Sequence, residues 1–353
     1  MRILVLPGDG IGPEITAATL AVLRAAATGH QLRLEFVEDV VGHDSLKRYG
    51  TTVKPDLLDQ ARATDGLILG PTATIEYREP EKGLINPSSY FRKSLDLFAN
   101  IRPARTYKGL SSKVGEFDLI VVRENTEGYY ADRNMEQGNA ELLVTKDVVV
   151  SLRRITRQAC ARVARVAFEL AMERKRHVSA VHKANALKLG DGMFLEECHR
   201  QKERFPEVTL DEFIVDAMMA HVIRAPSRFD VIVTTNMYGD ILSDLTAELT
   251  GSIGLGSSLN AGAEYAMAQA AHGCAPDIAG KNLANPFSLI LSASRLLAWH
   301  GRRKGEPGFT RAAAAIDKGV AAAIAAHEVT RDIGGNLGTR ETGEALAARL
   351  GEA

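Results

Sequence analysis

Residues 8–14 read Gly8-Asp9-Gly10-Ile11-Gly12-Pro13-Glu14, after the apolar run Ile3 to Leu6 and before an Ala- and Leu-rich stretch at 15–26. Arg2 to Leu6 reads as a buried parallel strand. Pro13 sits where a helix begins, because its fixed φ suits the first turn. A strand, a glycine turn and a helix in that order open an α/β fold. The stretch also invites a Rossmann dinucleotide reading, but that fingerprint puts its third glycine at position 13. Pro13 blocks the close helix–strand approach that glycine permits there. The plain alternative is a tight strand-to-helix turn.

Further along, short apolar runs alternate with longer amphipathic stretches, which again reads as α/β. Leu32 to Val37, Gly66 to Leu69, Asp118 to Val122 and Asp230 to Val233 are expected strands. Residues 146–173 predict one long helix with a stripe at Val149, Leu152, Ile155, Ala159 and Val163. Residues 310–327 predict an Ala-rich helix on the outside of the sheet. No internal repeat or Ser/Pro linker marks a domain boundary.

The 353 residues suffice for two domains, and apolar (45%) and charged (25%) fractions are those of a soluble globular protein. The 43 basic and 44 acidic side chains nearly cancel, so no general positive field attracts nucleic acid or an anionic membrane. An anionic ligand must be held by a local cluster. Cys160, Cys198 and Cys274 are far apart and odd in number, which argues against a disulfide framework and fits a reducing cytoplasm. The N-terminal apolar run is too short for a signal peptide, and no run nears the ~18 apolar residues of a membrane span. A cytoplasmic location is the expectation.

Four further segments carry chemistry. Arg92 and Arg102 lie ten residues apart in Phe91 to Pro103, around an expected helix end, and Arg123 opens Arg-Glu-Asn-Thr-Glu-Gly-Tyr-Tyr after an expected strand. A guanidinium at a strand's C-terminal end faces the ligand crevice of an α/β sheet and holds carboxylates through paired donors. Singly, each is an ordinary surface ion pair. Asp240 and Asp244 are four apart and share a helix face. Two carboxylates so placed repel unless a cation lies between them, and hard oxygen ligands favour Mg²⁺ or Mn²⁺. Acids facing a helix N-terminus are the alternative, which suits Asp240 better than Asp244. Asp216, after Phe213-Ile214-Val215, is a candidate third carboxylate. Lys183, in His182-Lys183-Ala184-Asn185 after Val178 to Val181, is either a general base near a metal or a solvated lysine. His272-Gly273-Cys274-Ala275-Pro276-Asp277-Ile278-Ala279-Gly280-Lys281 is small and Gly-containing, which suits backbone against a flat ligand. Asp277 beside a ribose selects free hydroxyls over a 2′-phosphate. Cys274 reads as a filler, with no base placed beside it.

Together these segments resemble the isopropylmalate/isocitrate dehydrogenase family of β-decarboxylating dehydrogenases, from Gly8 to about Gly335. The resemblance implies a non-Rossmann dinucleotide fold of two α/β domains, 1–98 plus 252–353 for the cofactor and 99–251 for substrate and dimerisation. It implies a homodimer with shared active sites, acting on a hydroxy-dicarboxylate or tricarboxylate with NAD and Mg²⁺ or Mn²⁺. Arg92, Arg102 and Arg123 would clamp malate carboxylates, with Ser88, Ser89 and Asn185 also at the substrate. Asp240 and Asp244, with Asp216 of a second copy, would hold the metal. Lys183 of that copy would be the base on the hydroxyl, and Tyr130 would protonate the enol. Ile11, Thr72, His272, Gly273, Ala275, Asp277, Ile278, Asn285 and Asp332 would meet the cofactor. Asp277-Ile278 resembles the NAD-type members.

Two departures bear on substrate. Isopropylmalate enzymes carry leucines just before the first clamp arginine, where this chain has Ser88 and Ser89. Burying an isopropyl group there strands a polar group at roughly 1–3 kcal/mol, so a polar substituent, as in isocitrate or homoisocitrate, is favoured. Isocitrate-type members have a Ser and an Asn there, reversed here as Asn86 and Ser88. Phe91 to Arg102 and Val215 to Met218, however, look isopropylmalate-like, and tartrate or D-malate remains an alternative. Gln269 stands where many relatives carry Glu near the nicotinamide. Outside catalysis, the alternatives are a silent regulatory subunit, which usually lacks residues present here, and a nucleotide-phosphate binder, for which no Gly-Lys-Ser/Thr follows Gly12.

Overall fold

The computed structural model describes residues 1–77, 79–130 and 140–351. Ten strands form one sheet: β1 (Arg2–Leu6), β2 (Glu35–Glu38), β3 (Gly66–Leu69), β4 (Ala99–Arg105), β5 (Asp118–Glu124), β8 (His177–His182), β9 (Thr209–Ile214), β10 (Val231–Thr234), β11 (Ser257–Ala261) and β12 (Ala266–Ala270). Among the described residues, β6 (Glu141–Thr145) and β7 (Val148–Ser151) form a separate two-stranded sheet. The sheet order is β2-β1-β3-β12-β11-β4-β5-β10-β8-β9. The outer runs are parallel, whereas β12-β11-β4-β5 is antiparallel. Residues 1–98 and 252–353 supply β1, β2, β3, β11 and β12. Residues 99–251 supply the rest of the sheet, so the chain passes between these halves from β3 to β4 and from β10 to β11.

The all-apolar interiors of β1, β3 and β10 are fully buried, as parallel strands covered on both faces must be. Helix Phe287–Lys304 covers β11 and β12, and helix Arg157–Met172 covers β5 and β10. Helix Asn236–Glu248 packs across β4 and β5 on Gly239, where an added Cβ would lie 2.6 Å from the Arg123 Cβ.

The first turn is a packing joint. Gly8 and Gly10 have positive φ, and a Cβ at either would strike the backbone of Pro71 or Cys274. Asp9 N donates to Pro71 O at 2.7 Å and Ile11 N to Cys274 O at 2.9 Å. The close strand-to-helix turn is therefore the reading that holds, and its glycines face protein rather than a phosphate.

Four expectations need correction. Residues 146–151 belong to the β6–β7 hairpin, and helix begins only at Arg157, where Thr156 caps it. Val149 and Leu152 are exposed rather than part of a buried stripe. The second strand begins at Glu35, not Leu32. Arg102 lies within β4 rather than near a helix end, and Arg123 lies inside β5 rather than after it. The Ala-rich helix, Pro307–Ala325, packs mainly on helix Phe287–Lys304, which lies between it and the sheet.

Candidate active site

Three arginines from different elements converge on one cavity of about 270 Å³. Arg92 comes from helix Pro87–Ser94, Arg102 from β4 and Arg123 from its neighbour β5. Asn86 caps that helix, its side chain accepting from Ser89 N at 3.2 Å, and Pro87 opens it. Thr72, Ser88, Ser89, Asp240, Gln269, His272 and Gly273 complete much of the wall.

Arg123 is 1% exposed, and a guanidinium that deep must be fully partnered. Its Nε donates to Asn236 Oδ1 at 2.9 Å, and its Nη1 contacts Asp240 Oδ1. Arg102 donates from Nε to Asn100 Oδ1 and from Nη1 to Asp244 Oδ1, both at 2.7 Å. Asp240 Oδ1 lies 3.9 Å from Arg102 Nη2, and Tyr130 OH donates to Asp240 Oδ2 at 3.4 Å. Burial raises the Asp244 carboxyl above the usual carboxylate range. Arg102 opposes that rise, and nearby Asp240 adds to it.

The two carboxylates thus share one helix face and one pair of arginines. They are hard oxygen donors suited to Mg²⁺ or Mn²⁺. Among the described residues no three acid, His or Cys side chains converge on one point. Asp216 lies instead in the first turn of helix Val215–Arg224, where it contacts Lys183 Nζ. That hydrogen bond lowers the Asp216 pKa. Asn185 is exposed beyond Lys183.

A second, apolar cavity of about 460 Å³ is lined by Ile11, His272, Gly273, Ala275, Ile278, Asn285 and Asp332, among others. His272 and Gly273 border both cavities. Asp332 Oδ2 accepts from Ser252 Oγ at 2.9 Å and from Asn285 Nδ2 at 3.0 Å, which fixes the carboxylate at the wall. Burial lowers the His272 pKa and favours the neutral ring. Asp277 is exposed on the turn Pro276–Ile278 and does not line this cavity, unlike the flanking Ala275 and Ile278.

Several site residues went unmarked in the sequence. Asn100 and Asn236 are fully buried and hold Arg102 and Arg123. Asn236 Nδ2 also donates to Glu127 O at 2.8 Å. The Glu127 carboxyl accepts from Thr156 N at 2.8 Å and from Thr156 Oγ1 at 2.9 Å. Burial pushes it up to about 7 against those hydrogen bonds, with Glu124 adding to the rise. An acid with a raised folded-state pKa stabilises the fold fully below its unfolded value. That stability is lost as pH rises through the folded value. Glu127→Gln should therefore abolish a loss of about 3 kcal/mol between about pH 4.5 and 7. Urea unfolding across that range checks this, and parallel profiles for variant and parent contradict it.

Residues 2–346 match the family model described as isocitrate/isopropylmalate dehydrogenase. The 3-isopropylmalate/3-methylmalate dehydrogenase of Methanocaldococcus jannaschii is 38% identical, over 99% of both chains. The isocitrate/homoisocitrate dehydrogenase of Thermus thermophilus is also 38% identical, over 99% of this chain and 98% of its own. The crystal structure of isocitrate dehydrogenase from Methylococcus capsulatus superposes with a TM-score of 0.87 at 34% identity, covering 99% of each chain. The chain belongs to the isocitrate/isopropylmalate dehydrogenase family. It is a decarboxylating dehydrogenase acting on a CH–OH group, in a family that generally uses NAD(P) and a divalent metal.

Proposed function

We propose that the chain oxidises the C2 hydroxyl of a 3-substituted malate with NAD, in the presence of Mg²⁺ or Mn²⁺, and releases the carboxylate on C3, β to the new ketone, as CO₂. A polar substituent, as in isocitrate or homoisocitrate, is favoured. The observation that carries this is the shared border at His272 and Gly273. It sets an arginine-walled polar cavity against an apolar one sized for part of a dinucleotide. An anion held in the first would lie next to a hydride acceptor held in the second.

Arg92, Arg102 and Arg123 bind the carboxylates and fix the substrate's orientation. Asp240 and Asp244 would hold the ion, whose chemistry there would be to polarise the ketone and stabilise the developing enolate. Tyr130, which hydrogen-bonds Asp240, would return a proton to the enol carbon. Asp216 and Lys183 of a second copy complete the site, Lys183 taking the hydroxyl proton. This calls for a dimer built from a substrate domain of 99–251, against a cofactor domain of 1–98 plus 252–353. The β6–β7 hairpin, with Leu142, Leu143, Val144 and Val149 exposed, suits that contact.

Isopropylmalate is the second reading, favoured by the names of relatives such as that of M. jannaschii. NADH formation with Mn²⁺ across isocitrate, homoisocitrate, isopropylmalate, D-malate and tartrate is the test, repeated with NADP. Turnover is expected for an acid with a polar substituent, faster with NAD. No turnover of any acid sinks the proposal.

A further inference from the structure

We infer that Gln269 is a specificity-determining residue, whose amide N–H selects a malate with an oxygen-bearing C3 substituent over one with an alkyl substituent. The inference rests on the function proposed above. Gln269 is 8% exposed in β12 and lines the arginine-walled cavity. Its Oε1 accepts from Ser88 Oγ at 3.0 Å and from Arg92 Nη2 at 3.1 Å.

Those partners fix which way the amide faces. A guanidinium can only donate, so the atom facing Arg92 must be the carbonyl oxygen. The Nε2 hydrogens then lie on the other branch of the amide of this cavity-lining side chain. Ser88 gives its only hydroxyl proton to the same oxygen, so its lone pairs face outward as acceptors. The wall thus offers an N–H donor and a hydroxyl acceptor at neighbouring points. An alkyl substituent leaves that donor desolvated and unused, whereas an oxygen on the substituent accepts from it.

A carboxylate here in place of the amide would keep the contacts to Ser88 and Arg92 but offer no donor. The neutral amide tolerates a hydroxyl or a carboxylate equally, so the shared chemistry is an accepting oxygen.

The test is the ratio of kcat/KM for each oxygen-substituted acid to that for isopropylmalate, in the parent, Gln269→Glu and Gln269→Leu enzymes. Tartrate represents the hydroxyl substituent, and isocitrate and homoisocitrate the carboxylate. In both variants the ratio should fall at least about tenfold, chiefly through KM. A residue that merely held Arg92 in place would lower all acids together. An unchanged ratio in both variants therefore overturns the inference while leaving the dehydrogenase reading intact. No turnover of any acid by the parent enzyme overturns both.

Discussion

Asp240→Asn should cut turnover by about a thousandfold or more, because a divalent ion's help to the departing charge amounts to several kcal/mol. Asp240 is the carboxylate on which the site's other charges meet, touching Arg123, Arg102 and Tyr130. The asparagine keeps an oxygen for Arg123, so the fold should survive, and thermal unfolding should change little. What disappears is the second formal negative charge beside Asp244 that makes a cation worth binding. Mn²⁺ titration of the residual rate is the check. The concentration needed for half-activation should rise steeply, and an unchanged Mn²⁺ dependence contradicts the assignment.

Arg123→Lys should lower kcat/KM by about a hundredfold or more, despite the retained charge. A lysine ends in a single point, whereas the guanidinium reaches Asn236 and Asp240 through separate nitrogens. Gly239 packs against the stem of this side chain, so the shorter reach cannot be recovered by shifting the helix inward. The loss should appear mainly in KM, since the arginine holds substrate in ground and transition states alike. Steady-state kinetics on the best acid of the panel decide it. An unaltered KM would remove Arg123 from the clamp.

The buried strands were legible because their composition allows little else. Gly66-Leu67-Ile68-Leu69 and Val231-Ile232-Val233 lie in the middle of a parallel sheet and carry no polar face. The hairpin at 141–151 was misread because its valines point to solvent within one chain. An apolar run with no buried partner fits a helical stripe as well as a strand. The arginines stood out because a charge beside a buried apolar run is expensive, and the aspartates because two carboxylates four apart on a helix repel unless a cation lies between them. Asn100 and Asn236 did not, since a single amide in a sequence shows no partner. Their role exists only once β4 lies between β11 and β5 and helix Asn236–Glu248 crosses them. Gln269 stood out as an exception, but only coordinates put its side chain against Ser88 and Arg92.

Where β11 meets β4, the seam between the two halves is built from buried amides and a hydroxyl. Asn100 Nδ2 donates to Ser258 Oγ at 2.8 Å and to Asn260 Oδ1 at 2.9 Å, and its Oδ1 receives Arg102. One side chain thus ties β11 of one half to Arg102 of the other. The aim of that guanidinium is therefore set by how the two halves are seated against each other.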